Sequence, residues 1–415
     1  MSALKTIAII ESCDTKGREA AYLRELVANE GYKPLVIDVS TGNAESTAYD
    51  ISRELVLSQA GINWQEIKTL SKEEKIASML HAIKIFTKKY YKLGKIQAVV
   101  SIGGLQNTLL ATAAMKELPI GIPKVMATTV ACGNKSFGPF VGDKDIVLIP
   151  SIADFTGLNL LTRQIMANAV AACVGMLRYA GKTLVKSEKQ VIGITLMGIT
   201  NTGACAAIAE LEELGYECIG FHATGVGGIT MEKLASAGLI DGILDLTVHE
   251  ITQEYFKAGF SYGDEAKYRL RMSVECKIPL VIAPGGIDFI DFSPSEFPPR
   301  MKERKFMMHN PEMAHIKLLP DEAEPATKSF CERLEAIDYP VKVLLPTEGM
   351  RHNTRKGEEL YDPSVDNIIL KSIRAIKNPN LEIIEVPGNL DTCEWGKAAA
   401  RFMDESMRQV KTKKE

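Results

Sequence analysis

The feature that most constrains this sequence is a short apolar run that ends in two glycines and occurs twice. It reads AVVSIGGLQNT at residues 98–108 and LVIAPGGID at residues 280–288. An unbroken run of β-branched and aliphatic residues predicts a strand buried in a parallel sheet. Two glycines at its end let the backbone turn sharply and lie close to a ligand. A tight turn without a ligand would explain either copy alone, and the repetition favours a binding loop.

The two halves of the sequence share more than this strand. Each begins with a predicted strand, at residues 6–10 and 190–194, and continues through a helix to a Gly-Tyr pair at residues 31–32 and 215–216. An offset of roughly 180 residues superposes these features and the glycine pairs. We therefore predict an α/β protein of two Rossmann-like, doubly wound subdomains with mainly parallel sheets, facing each other across a cleft. Unrelated doubly wound domains share the same β–α–β rhythm, and this alternative stays open.

The boundary between the halves is predicted in a polar, lysine-rich stretch at residues 181–189. At 415 residues the chain is too long for one ordinary core. We predict an N-terminal subdomain over residues 1–183, a C-terminal subdomain over residues 190–410 and a basic tail over residues 411–415. Limited proteolysis is expected to cut in or near this boundary.

Charge and composition point to a small-molecule ligand. The net charge is only −3, so there is no overall basic field to attract nucleic acid or a membrane surface. The eight cysteines form no CxxC pair and are expected to be reduced thiols. No signal segment is recognised at the start, and we predict a cytoplasmic protein. The apolar helix predicted over residues 158–177 is a candidate for a homodimer contact.

The first strand leads into the motif ESCDTKG at residues 11–17. Asp14 or Thr15 is suited to cap the helix that follows. A cation in the first turn opposes the helix dipole, so Lys16 predicts a phosphate or carboxylate partner. A solvated surface lysine is the alternative. The lysine-rich outer face of the helix predicted at residues 71–93 is expected to be solvated only.

In the second half, HATGVGG at residues 222–228 ends a predicted strand. Its spacing matches neither the dinucleotide fingerprint nor the Walker motif. His222 is suited to general acid-base chemistry or to phosphate binding, and a structural histidine is equally compatible. A proline-rich loop at residues 285–310 carries Asp288 after the second glycine pair. The residues of these motifs that we expect to bind the ligand are Thr224, Gly225, Gly227, Gly228, Gly285 and Gly286.

Seven motifs in order resemble those of the Tm-1-like ATP-binding family, also called UPF0261. They are DTKG, the glycine pair Gly103-Gly104 with Thr108, TTVACG from Thr128 to Gly133, VGDKD, DFTGLN, HATGVGG and PGGID. The resemblance covers nearly the whole chain and implies two Rossmann-like subdomains that bind ATP, commonly as a dimer. It adds Thr108, Thr128 and Gly133 to the expected site. Two departures are Leu105-Gln106-Asn107 after the glycine pair and the unusually basic segment at residues 346–363.

We therefore expect an ATP-dependent enzyme that acts on a small metabolite between the subdomains. His222 and Asp288 are the predicted catalytic residues. Asp14, Thr15, Lys16, Gly103 and Gly104 are expected to hold the nucleotide, with Mg²⁺ bound mainly through the phosphates and one carboxylate. A nucleotide-binding regulatory protein without catalysis and a two-lobed solute sensor are the alternatives.

Overall fold

The structure is a computed structural model that describes residues 4–42, 49–131, 138–180, 188–257 and 269–412. The chain folds as two compact units, Met1–Val185 and Lys186–Glu415. We call them the N-terminal unit and the C-terminal unit. Most of the predicted boundary, residues 181–187, lies outside the described residues, as does Gly133.

The N-terminal unit is a parallel sheet covered by helices. Its strands are β1 (Thr6–Glu11), β2 (Lys33–Asp38), β3 (Ala98–Gly103), β4 (Lys124–Thr128) and β5 (Val147–Pro150). Its helices are α1 (Cys13–Asn29), α2 (Arg53–Ser58), α3 (Trp64–Ile67), α4 (Lys72–Lys92), α5 (Leu105–Lys116), α6 (Gly138–Val141) and α7 (Leu160–Tyr179). The strand order is β2-β1-β3-β4-β5 and every pairing is parallel.

Local sequence explains these elements. All six residues of β1 and all six of β3 are buried, as the unbroken apolar runs predict. Helix α4 begins with a capping box, in which Ser71 and Glu74 exchange side-chain and backbone hydrogen bonds. Helix α1 ends before Gly31, whose φ of +79° is readily adopted only by glycine.

The C-terminal unit is larger and also built on a parallel sheet. Its strands are β6 (Val191–Leu196), β7 (Glu217–His222), β8 (Gly242–Thr247), β9 (Leu280–Gly285), β10 (Phe289–Phe292), β11 (Phe306–Asn310), β12 (Met313–Lys317), β13 (Val341–Pro346) and β14 (Leu381–Val386). Its helices are α8 (Asn201–Glu213), α9 (Gly227–Ser236), α10 (His249–Phe256), α11 (Arg271–Cys276), α12 (Pro320–Glu335), α13 (Pro363–Arg374) and α14 (Cys393–Thr412). The main sheet has the order β14-β13-β9-β8-β6-β7, and its pairings are parallel.

The predicted fold class is confirmed, with one addition. Residues 285–310 are not the irregular loop that the prolines suggested. They contain β10 and β11, which pair on either side of β12 in a small antiparallel sheet. Edge strands tolerate proline in their connections, so the prolines at 294, 298 and 299 interrupt the chain between strands without preventing the sheet.

The sheet orders also change how the two glycine pairs correspond. Read from its other end, the C-terminal sheet has the order β7-β6-β8-β9-β13-β14, which aligns with β2-β1-β3-β4-β5. In this alignment β3 corresponds to β8, and β4 corresponds to β9. Gly103-Gly104 ends β3, whereas Gly285 ends β9. The superposition of the two pairs was therefore wrong, because they end strands at different positions in their sheets.

The helix α7 is the one helix within the described residues long and apolar enough to cross a membrane by length and composition. One face of this helix packs on the N-terminal sheet, where residues such as Ile165, Met166 and Cys173 are buried. The predicted homodimer contact of this helix stays a prediction.

In the C-terminal unit, α14 packs closely on α8. A Cβ atom on Gly396 would collide with the carbonyl oxygen of Gly203, and a Cβ atom on Gly203 would collide with that of Leu390, so both positions need glycine. The backbone N–H of Gly203 also donates to Asp391 Oδ1 at 3.1 Å. A carboxylate from the loop before α14 thus caps the start of α8.

Candidate ligand-binding site

A cavity of about 510 Å³ lies at the carboxyl edge of the N-terminal sheet. Residues that follow β1, β2 and β3 line it. In the order β2-β1-β3-β4-β5, the chain adds β2 on one side of β1 and then β3 on the other side, so the switch point of the sheet lies between β1 and β3. Open parallel sheets bind ligands at such a switch point. The cavity therefore occupies the position in this fold at which a ligand is most expected.

The base of this edge is a buried polar network. Asn107 Nδ2 donates to Glu11 Oε2 at 3.0 Å and to the carbonyl of Ile102 at 2.6 Å. Ser12 Oγ donates to Asn107 Oδ1 at 3.2 Å. Burial raises the pKa of the Glu11 carboxyl well above its ordinary value, although hydrogen bonds from Ile102 and Ser101 oppose this. The network fixes the end of β1 against the end of β3.

A second network holds the first turn of α1. Asp38 Oδ1 accepts from the backbone N–H of Cys13 at 3.1 Å, and the N–H of Asp14 donates to Ser40 Oγ at 3.0 Å. Asp14 Oδ2 accepts from the N–H of Gly42 at 3.0 Å. A Cβ atom on Gly42 would overlap the Asp14 carboxylate. Asp14 is thereby held at the cavity wall, and its Oδ1 makes no hydrogen bond with the residues that the structure describes.

The start of α5 is open. The residue before this helix is Gly104, which has no side chain to cap it. The backbone N–H groups of Leu105, Gln106 and Asn107 have no acceptor among the described residues. Gly103 has a φ of +142°, and a Cβ atom there would lie 2.9 Å from Asn107 Cβ. The glycine pair therefore brings the helix start close to the cavity, where free N–H groups favour an anion.

Three lysines line the same cavity: Lys16, Lys72 and Lys75. None of them forms an ion pair with a residue in the described ranges. Lys16 Nζ donates to the carbonyl oxygen of Phe155 and is half-buried. The cavity thus combines three positive charges with the open helix start, and Asp14 is the one carboxylate in its described wall.

The predicted residues Thr108 and Thr128 lie beneath this edge. Their hydroxyl oxygens are 2.6 Å apart and buried, and Thr108 Oγ1 also donates to the carbonyl of Gly104 at 2.8 Å. They tie α5 to the end of β4 and do not line the cavity. Their expected contact with a nucleotide stays a prediction.

The predicted motif of the C-terminal unit follows β7. His222 is exposed, and its Nδ1 lies 2.7 Å from Thr224 Oγ1. The N–H of Gly228 donates to the buried carboxylate of Glu250 at 3.0 Å. A Cβ atom on Gly227 would collide with the backbone of His222. The glycines here permit close packing of internal groups, and binding of a ligand by Thr224, Gly225, Gly227 and Gly228 stays a prediction.

Asp288 is fully buried at the end of the second glycine motif. Its carboxylate accepts from Arg351 Nε at 2.9 and 3.0 Å and from Lys317 Nζ at 2.6 Å. Burial alone would raise the pKa of Asp288, but these two cations outweigh it and hold the pKa well below its usual range. Gly285 and Gly286 pack against Leu246 and His249. Catalysis by Asp288 and His222 stays a prediction.

Cys13 lies in the first turn of α1, where a helix start by itself would lower the pKa of a thiol. Burial raises the pKa of its thiol instead, and the nearby carboxylates of Asp38 and Glu11 raise it further. A thiolate is therefore disfavoured at this position.

Sequence reasoning found Asp14, Thr15, Lys16, Gly103 and Gly104, and the structure brings all five to one cavity. It missed Lys72 and Lys75, because a lysine-rich helix face is usually solvated. A usable signal was present, since both lysines belong to the first turn of a helix that begins with a strong capping box. The predicted sites of the two units belong to separate bodies, and one shared cleft stays a prediction.

Two family models match the chain. The N-terminal domain of the uncharacterised protein family UPF0261 matches residues 5–182, and its C-terminal domain matches residues 189–407. A UPF0261 protein of Clostridium tetani is 31% identical over 408 residues, which cover 98% of this chain and 100% of that protein. The ToMV resistance protein Tm-1(GCR237) of Solanum lycopersicum is 30% identical over 94% of this chain, which spans 54% of that protein.

Among solved structures, UDP-GlcNAc 2-epimerase of Methanocaldococcus jannaschii in complex with UDP-GlcNAc and UDP is similar with a TM-score of 0.25 and 12% identity. The match covers 99% of both chains. A TM-score this low supports no inference about function. The two domain matches and the full-length relatives confirm the resemblance of the ordered motifs, and the chain belongs to the UPF0261 family.

Proposed function

We propose that the N-terminal unit binds ATP in the cavity between the ends of β1 and β3, and that the protein is an ATP-dependent enzyme acting on a small metabolite. One observation carries the proposal: an uncapped helix start and three lysines without ion-pair partners in the described ranges surround the same cavity. A polyphosphate satisfies both features, because its oxygens accept from backbone N–H groups and attract several cations.

Each part of the cavity has a role in this proposal. The N–H groups of Leu105 and Gln106 donate to one phosphate. Lys16 and Lys75 neutralise the rest of the chain of phosphates. Mg²⁺ is bound mainly by the phosphates, with the Asp14 carboxylate as a direct or water-mediated ligand.

Calorimetry with Mg-ATP tests the binding. Loss of one charge-assisted contact costs roughly 1.5–3 kcal/mol, so Lys16→Ala and Lys75→Ala should each weaken binding about 10- to 100-fold. Lys84→Ala is the matched control, because Lys84 lies exposed on the same helix as Lys75 and outside the cavity wall. Unchanged affinity in both test variants would place the nucleotide elsewhere or exclude it.

Turnover separates an enzyme from a binding protein. Release of ADP is measured with and without a pool of small metabolites, and mass spectrometry identifies any ligand retained on purification. An enzyme should release ADP faster with the pool, and Lys75→Ala should reduce this rate. Tight Mg-ATP binding without turnover would support the regulatory alternative instead.

A further inference from the structure

A second cavity, of about 730 Å³, lies within the C-terminal unit. Its walls come from the connection between β13 and α13 and from the connection between β14 and α14. Both connections leave the carboxyl ends of parallel strands, where α/β sheets place ligands. None of the glycine motifs found in the sequence contributes to it, whereas the segment at residues 346–363 forms much of its wall. The expectation that this segment is unusually basic was wrong, because its three Arg and Lys residues are outnumbered by four Asp and Glu residues.

The segment at residues 346–363 is anchored by one buried arginine. Arg351 is completely buried and pairs with Asp288, as described above. Asn389 Nδ2 donates to the carbonyl of Arg351 at 3.0 Å and to that of Glu348 at 2.9 Å. Leu390 donates through its backbone N–H to the carbonyl of Gly349 at 3.1 Å. The two connections are thus bound to each other, so the cavity between them is built by the fold.

Two other basic residues of the segment line the cavity. Lys356 is exposed and makes no ion pair with any residue that the structure describes. Arg355 lies 3.7 Å from Asp391 Oδ2, and 41% of its side chain is exposed, so its guanidinium can also contact a ligand.

Carboxylates face the same space. Glu348 and Glu394 line the cavity, and neither pairs with a cation in the described ranges. Asp366 also lines it, and burial together with the neighbouring Asp288 raises its pKa to about 6, although Lys317 opposes this. The lining therefore offers unpaired groups of both signs.

We propose that this cavity binds a small zwitterion of the amino acid type, with its carboxylate held by Arg355 and Lys356 and its ammonium group held by Glu348 and Glu394. A purely anionic ligand such as a phosphate would leave these glutamates unpaired beside it. A ligand with both charges satisfies both sets of side chains. The site is separate from the proposed nucleotide cavity and does not depend on it.

The test uses the full chain and the standard amino acids as probes. Each L-amino acid is added at millimolar concentration, and binding is measured by ligand-observed NMR and then by calorimetry. We expect at least one amino acid to bind, and its decarboxylated amine and its deaminated acid each to bind about 10-fold more weakly or worse. Absence of binding by every amino acid, or equal binding of the amine or the acid, would overturn the proposal.

Variants then assign the site. Lys356→Gln and Glu348→Gln should each weaken the bound amino acid about 10- to 100-fold, because each removes one charge-assisted contact. Neither side chain makes an ion pair in the described ranges, so both variants should keep the fold. Lys371→Gln, on the exposed face of α13 outside the cavity wall, is the matched control. Unchanged affinity in both test variants would overturn the assignment.

Discussion

Over five strands the two sheets have the same order, β2-β1-β3-β4-β5 in the N-terminal unit and β7-β6-β8-β9-β13 in the C-terminal unit. They differ at the switch point, which lies between β1 and β3 in the first sheet and between β6 and β8 in the second. In the N-terminal unit, α5 begins at an open cavity, and Leu105 in its first turn is 62% exposed. In the C-terminal unit, the equivalent helix α10 begins with His249, which is fully buried and stacks on Phe289 of β10 at 4.0 Å. The small antiparallel sheet thus covers the second switch point. The same topology therefore leaves an open cavity at the switch point of the first unit and a covered one in the second.

The units also use charge differently. The lysines of the first cavity lack ion pairs in the described ranges, whereas the C-terminal unit pairs its buried charges with one another. Arg269, for example, donates to Asp245 at 2.9 and 3.0 Å and to Glu232 at 2.5 Å. Unpaired charges at an edge suit an external ligand, and paired charges inside a core fix its conformation. Four predictions test this contrast.

The largest effect is expected at Asp288. Replacing it with alanine leaves Arg351 buried without its carboxylate partner and leaves Lys317 with Asp366 alone, which costs about 3–5 kcal/mol. Urea unfolding measures the loss, and hydrogen exchange should locate it in residues 269–412. Asp321→Ala is the control, because its ion pair with Arg300 is on the surface, where solvent screens it, and its loss should change stability little. Equal losses in the two variants would refute the contrast between paired and unpaired charges.

The next effect is a pH dependence at Asp366. Its pKa is raised from 3.8 to about 6 in the folded state, so folding binds its proton more tightly. The resulting stabilisation is present below pH 3.8 and is lost as the pH rises to about 6, by up to about 3 kcal/mol. The unfolding free energy of wild type should therefore fall relative to that of Asp366→Asn across this range. Parallel pH curves for the two proteins would contradict it.

The glycine pair of the N-terminal unit provides an internal comparison. Gly103→Ala should lose about 1–3 kcal/mol of stability, because its φ of +142° and the nearby Asn107 leave no room for a Cβ atom. Gly104→Ala should change stability by about 0.5 kcal/mol or less, since its Cβ atom would lie 3.7 Å from Thr129 Oγ1. Thermal unfolding measures both. Equal losses of stability in the two variants would contradict the requirement for glycine at position 103 that its φ and its contact with Asn107 imply.

The smallest effect on stability is expected at the cavity lysines. Lys72→Ala and Lys75→Ala should change the unfolding free energy by about 0.5 kcal/mol or less, because neither side chain makes an ion pair in the described ranges. Lys75→Ala should nevertheless weaken Mg-ATP binding as stated above. A variant that loses stability and affinity together would indicate that its lysine supports the fold and does not serve the ligand.

The sequence predicted the residues around the N-terminal cavity better than the contacts of the C-terminal core, for physical reasons. Glycines at a strand end and a charged helix start are local signals, and they identified Gly103, Gly104 and Lys16. The pairing of Asp288 with Arg351 joins residues 63 positions apart, and no periodicity encodes such a contact. The position of a strand within a sheet is also nonlocal, which is why the two glycine pairs were superposed incorrectly.

The antiparallel sheet was missed for a related reason. Its strands β10 and β11 are short, with four and five residues, and the prolines between them resemble an irregular loop. Short strands provide little alternation from which to predict them. Their pairing with β12 is what stabilises them, and that pairing depends on tertiary context.

The cap of α8 by Asp391 has a consequence for synthesis of the chain. The two partners are 188 residues apart, and α8 packs closely on α14 where Gly203 meets Gly396. At 5–20 residues per second, a ribosome needs roughly 10–40 s to add that length. During this interval α8 has neither its carboxylate cap nor its packing partner. Until residues 393–412 emerge, the nascent C-terminal unit therefore exposes an apolar face of α8. Chaperone binding to the growing chain should be strongest during this interval.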